Sequence, residues 1–106
     1  MSKTRRSSIA LAAMILLAGS MSFAQSAGEA TYKAKCQSCH GAEGIPNPGI
    51  AKAMGVKPAT DPSVVKMTEA EMIAATKNGI AKMRPTTGLT DTQIKDAVDY
   101  FRTFAK

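Results

Sequence analysis

The chain has 106 residues, 44% hydrophobic and 21% charged, with a formal net charge of +6, a single histidine, two cysteines and no tryptophan. That length allows one domain at most. The positive charge is not gathered into basic runs interleaved with aromatics, which leaves nucleic-acid binding without support, and two cysteines with one histidine are too few ligands for a metal cluster.

The first residues read as a secretory signal peptide. Lys3, Arg5 and Arg6 make a positive n-region, Ile9 to Ala18 is an uninterrupted apolar run, and Ser22 and Ala24 supply a small-x-small cleavage pattern. The expected cut lies after Ala24, because the apolar run is too short to span a bilayer. Neither cysteine adjoins the cut, which argues against a lipid anchor. Removing the first 24 of 106 residues leaves 82, a single domain over 25–106, and takes three basic residues with it, so the charge falls from +6 to +3. A domain of that size rarely holds itself together by an apolar core alone.

In chain order, Ser26 and Glu29 form a capping box, so a helix is expected from Ser26 through Tyr32 into Cys36. Gly28, Tyr32 and Cys36 share one of its faces. The run Cys36-Gln37-Ser38-Cys39-His40 follows, and Cys-x-x-Cys-His is the attachment pattern for c-type haem. On one helical turn the two thiols can each form a thioether to a vinyl group, with the adjacent imidazole turned to the iron. The rivals are weaker: a disulfide across two residues is strained, and no β-α-β pattern supports a thioredoxin-like site. One such motif limits the chain to one haem, and with His40 the sole histidine, ligation by two histidines is excluded.

From Gly41 to Gly49 the composition predicts a loop containing Pro46 and Pro48, followed by a short helix Ile50–Met54 closed by Gly55. Val56 to Ser63, with Pro58 and Pro62, reads as connection. Thr68 and Glu71 make a second capping box, flanked by Met67 and Met72 as a hydrophobic staple, and the helix stops at Asn78-Gly79. Thr90 and Gln93 make a third, with Leu89 and Ile94 as its staple. The last helix carries Ile94, Ala97, Val98, Phe101, Phe104 and Ala105 on one stripe. No segment alternates with period two, so the chain reads as all-α.

Four methionines follow the motif as possible sixth ligands of the iron: Met54, Met67, Met72 and Met83. Met67 and Met72 are already used as a staple pair. Met83 lies in the non-periodic stretch Gly79–Gly88 between two helices, where a loop can present it, and is the first choice. Met54 comes next, and a lysine-bound or open iron last.

Together, Cys36 to His40, the spaced Met83 and the helix carrying Gly28 and Tyr32 resemble the class I c-type cytochromes, the small bacterial mono-haem kind, over residues 26–105. The resemblance implies the small cytochrome c fold: three main helices plus a short helix and loops wrapped around one covalent haem. It also implies that Gly28 lets the C-terminal helix cross closely, and that a proline carbonyl, from Pro46 or Pro48, accepts a hydrogen bond from His40. The family usually has proline directly after the ligand methionine, whereas here Arg84 separates Met83 from Pro85.

The function so implied is that of a periplasmic one-electron carrier in a respiratory or related chain, not an enzyme. Its single haem c is attached through Cys36 and Cys39, with His40 and Met83 on the iron. A monomer is expected, with redox partner proteins as its partners, no nucleic acid and no membrane span in the mature chain. Lys35, Lys82 and Arg84 are candidates to ring the haem edge and steer an acidic partner. The alternatives are a haem subunit of a larger oxidoreductase and an open-site haem enzyme or sensor.

Overall fold

The computed structural model of the chain describes residues 25–105, so the leader and its cut after Ala24 lie outside the described residues. Among these residues the fold is all-α, and its only β-type pairing is an isolated bridge between Ile80 and Met83. Three longer helices, α1 (25–35), α5 (Glu69–Asn78) and α6 (Asp91–Arg102), carry the architecture. Three short ones, α2 (Gln37–His40), α3 (Pro48–Met54) and α4 (Pro62–Val65), lie between α1 and α5.

The expected capping box of Ser26 and Glu29 stands at the edge of the described residues, where residue 25 is already helical. Two expectations need correction. The 41–49 loop ends early, with α3 beginning at Pro48 instead of Ile50; Asn47 caps it through a 2.8 Å bond from the Gly49 N–H to Asn47 Oδ1. The 56–63 connection likewise ends in α4, capped by Asp61, whose Oδ1 accepts from the Ser63 N–H at 2.9 Å. Proline sits first in both helices, where its missing N–H costs nothing and its fixed φ favours the turn.

The other two capping boxes form as expected. Thr68 and Glu71 exchange bonds of 3.1 Å each, and Thr90 and Gln93 bonds of 3.1 and 2.8 Å. Substituting Thr90 by alanine should cost about 1 kcal/mol, read as a lowered urea midpoint at unchanged slope. Both staples then deliver their side chains to a common core. Met72, Ile94 and Val98 are buried between α5 and α6, with Met67, Leu89, Val64, Ile73 and Phe101 packed around them. The junction of the two helices is charge-matched: Lys77 in the last turn of α5 meets Asp91 in the first turn of α6 at 2.9 Å.

A second contact sets α1 against α6. Gly28 lies so close to the backbone of Asp96 that an added Cβ would clash with its carbonyl, as the family resemblance implied. One turn on, Tyr32 is 1% exposed and its ring meets those of Tyr100, Phe101 and Phe104 at 5.4, 6.0 and 5.7 Å. The apolar stripe of α6 continues to Phe104 and Ala105, though these two stand in a 3₁₀ turn, Thr103–Ala105, and not in the α-helix.

Candidate haem site

Tyr32 brackets the pentapeptide from both sides. Its backbone carbonyl accepts from the Cys36 N–H at 2.9 Å, and its phenol donates to the carbonyl of Gly41, just beyond His40, at 2.6 Å. Between these anchors Cys36 departs from regular helix (φ −116°, ψ −34°), and α2 restarts from it with the His40 N–H on the Cys36 carbonyl at 3.0 Å. Gly41 then ends the turn at φ 85°, a value at which any side chain would be strained. Cys36, Cys39 and His40 thus come together on one short, fixed turn, with both cysteines as free thiols, Cys36 half-buried and Cys39 exposed.

Burial governs the electrostatics. It lowers the His40 pKa from its ordinary value, keeping the imidazole neutral, the form in which it can bind a metal. Desolvation, reinforced by Cys39, raises the Cys36 thiol. Phe101 meets the His40 ring edge-on at 5.4 Å and 64°, and so fixes its plane. Among the described residues, the buried side-chain polar atoms lacking a hydrogen-bond partner are Gln37 Oε1 and His40 Nδ1. Both belong to the pentapeptide, and such atoms concentrate where a group has a ligand to meet. Neither Pro46, which is buried, nor Pro48, exposed at the start of α3, supplies the carbonyl expected for His40.

Of the four methionines, Met67 and Met72 are committed to the α5–α6 core. Met54 ends α3 and is 41% exposed. Met83 is half-buried in the turn Ile80–Met83, whose two ends exchange hydrogen bonds of 3.1 and 2.8 Å. That turn is tied to α5 by the Thr86 N–H on the Thr76 carbonyl at 2.8 Å, and to α3 by Lys82 Nζ on the Ala53 carbonyl at 3.1 Å. The tie to α3 brings the segments bearing Met54 and Met83 side by side.

A cavity of about 430 Å³ opens between 59–72 and the end of α6, walled by Ala59, Val64, Val65, Met72, Phe101 and Ala105, with Asp99, Arg102 and Thr103 at its polar side. None of Cys36, Cys39, His40 or Met83 lines it, although Phe101 is shared with the His40 ring. The roles of Phe101 toward His40 and of Tyr32 toward Gly41 are not visible in the sequence beyond their places on apolar helix faces. The tie from Lys82 to Ala53 has no sequence signal at all.

The residues present fit a covalently held haem. Two free thiols stand one turn apart, a neutral, half-buried imidazole adjoins them, and large apolar side chains at Ile45, Met54 and Ile80 are exposed where a small domain would otherwise bury them. No helix of the described residues is long and apolar enough to cross a membrane.

Comparison with known proteins agrees. Residues 23–101 match the family model described as cytochrome C oxidase, cbb3-type, subunit III. The solved c-type cytochrome KustC0563 superimposes with a TM-score of 0.66 at 27% identity, over 74% of this chain and 98% of its own. No curated protein matches the chain. A pentapeptide held for thioether attachment, an all-α frame and a family match over most of the chain lead to one conclusion: the chain belongs to the cbb3-type subunit III family of cytochrome domains and is a class I c-type cytochrome, an electron-transfer haem protein.

Proposed function

We propose that this chain is an exported, single-haem electron carrier in which Cys36 and Cys39 hold the haem by thioethers and His40 and Met83 ligate its iron. The observation that carries this reading is the pentapeptide anchored at both ends by Tyr32, with free thiols and a neutral imidazole on one turn. The haem, when bound, would supply a one-electron couple, and a methionine thioether beside a histidine in its ligand set would favour the reduced form. The chain's residues keep its surroundings fixed. Phe101 holds the imidazole plane, Tyr32 holds the turn, and the Ile80–Met83 turn holds the sulfur-bearing residue. With both His40 and Met83 holding the iron, no position would be left for a substrate, which supports a carrier over an enzyme. The leader supports periplasmic placement.

The family description favours a second reading, in which the domain is a fixed subunit of an oxidase. Co-purification from native membranes with a partner in fixed ratio would decide for that reading, and recovery as a free monomer would decide for the diffusing carrier.

Optical spectra of the ferric protein test the ligand set. The wild type should show the weak red sulfur-to-iron band, Met83→Ala should abolish it, and Met54→Ala should keep it. Survival of the band in Met83→Ala would remove Met83 from the assignment.

A further inference from the structure

We infer that Lys82 is a latch that holds the Met83 turn against the end of α3, and through it a positioning residue for the sulfur ligand; this second part rests on the assignment of Met83 above. Lys82 Nζ donates to the Ala53 carbonyl at 3.1 Å across 29 residues of sequence. Ala53 stands in the last turn of α3, where carbonyls lack partners within the helix and carry its partial negative charge. The Gly55 N–H takes the Ala51 carbonyl, so it leaves that of Ala53 to the ammonium. A lysine suits the task, because its charge meets the helix end and its long stem spans the gap between the two segments.

The turn needs such a hold. Ala81 sits at φ 50°, a left-handed conformation that is unfavourable for a non-glycine residue and persists only where its surroundings enforce it. The bonds between Ile80 and Met83 close the turn on itself but do not fix where it points. Thr86 fixes its far side to α5, three residues after Met83. Lys82 fixes the near side to α3, one residue before it. With the latch removed, the turn keeps its tie to α5 and the chain still folds, while the segment bearing Met83 gains freedom to swing away from α3.

The test uses the haem-loaded protein as wild type, K82A, K82R and K52A, the last removing an equal charge from the last turn of α3. Two readouts are followed: hydrogen exchange at the Ile80 and Met83 amides, and displacement of the sulfur-to-iron band of the ferric protein by imidazole. In K82A both exchange and imidazole affinity should rise about tenfold, the low end for a charge-assisted hydrogen bond at an exposed position. K82R should stay near wild type in both, and K52A should not change either. Unchanged exchange in K82A would overturn the latch. Raised exchange with unchanged imidazole affinity would overturn the positioning role, and a K82R variant as loose as K82A would show that the hydrogen bond is not what holds the turn. If Met83→Ala retains the sulfur band, the ligand assignment fails by itself, and the exchange measurement still decides the latch.

Discussion

Gly28→Ala is expected to destabilise the protein by about 2–3 kcal/mol, although the same change on an open helix face would stabilise it by about 1 kcal/mol. The sign is reversed by what the new methyl group meets. A Cβ at Gly28 would run into the Asp96 carbonyl oxygen, with the carbonyl carbon at 2.9 Å and Tyr100 Cβ at 3.3 Å. Two of these three atoms are backbone and cannot rotate out of the way. α6 cannot retreat either, since Ile94, Ala97 and Val98 are buried on it. Relief must come from moving α1 outward, which parts Tyr32 from Tyr100, Phe101 and Phe104 and loosens the Phe101 edge that holds His40. Urea unfolding of the haem-loaded protein measures the cost. Gly49→Ala is the comparison, because there the methyl group would meet only Asn47 Oδ1, at 3.3 Å, and little loss is expected. A Gly28→Ala variant as stable as the wild type would mean that the two helices do not need this close crossing.

How much of this could be read beforehand depends on how local each determinant is. The starts of α5 and α6 were legible because Thr68 with Glu71, and Thr90 with Gln93, bond within four residues of sequence, and the staples beside them identify their own packing partners. That locality is also why Met67 and Met72 could be set aside as ligands. The starts of α3 and α4 are hidden when Pro48 and Pro62 are read as breakers; Asn-Pro and Asp-Pro are instead an N-cap followed by the first helical position, a signal present in the sequence itself. The attachment turn was legible as Cys36, Cys39 and His40. What holds it was not, since the Phe101–His40 contact depends on how α6 lies against the start of the chain, which no periodicity encodes. The Lys82–Ala53 tie depends on how a loop and a helix end meet across 29 residues. The choice between Met54 and Met83 lies at that same meeting point, and for that reason the sequence alone ranked them without separating them.

Tyr32 is the residue on which fold and site depend together, and two substitutions separate its contributions. Tyr32→Ala should cost about 3–5 kcal/mol, the usual range for emptying a buried aromatic position, because it removes a side chain only 1% exposed from among three other rings. Tyr32→Phe keeps those rings in contact and removes the phenol oxygen, with its 2.6 Å bond to the Gly41 carbonyl and its contact with the Gly44 N–H, for a loss of about 1–2 kcal/mol. The smaller loss falls on the residue that follows His40, so Tyr32→Phe should speed amide exchange across 39–41 while leaving α5 and α6 protected. The same phenol gives the difference between the two proteins a pH dependence. Desolvation is the main cause that raises its pKa well above the ordinary tyrosine value. The unfolded chain therefore releases this proton near pH 10, the ordinary value, while the folded chain still holds it, and over that interval the folded form binds more protons than the unfolded. Stability from the protonated phenol is full below about pH 10 and is lost progressively as the pH rises further. Lys33 and Lys95, also raised by their partners Glu29 and Asp99, titrate in the same alkaline range. The quantity to measure is therefore the stability of the wild type minus that of Tyr32→Phe, in which the lysines cancel. That difference should be constant from neutral pH to about pH 10 and shrink above it; a difference that stays flat into strong alkali would mean that the phenol is not shielded from water, and that its bond to Gly41 does not close the attachment turn.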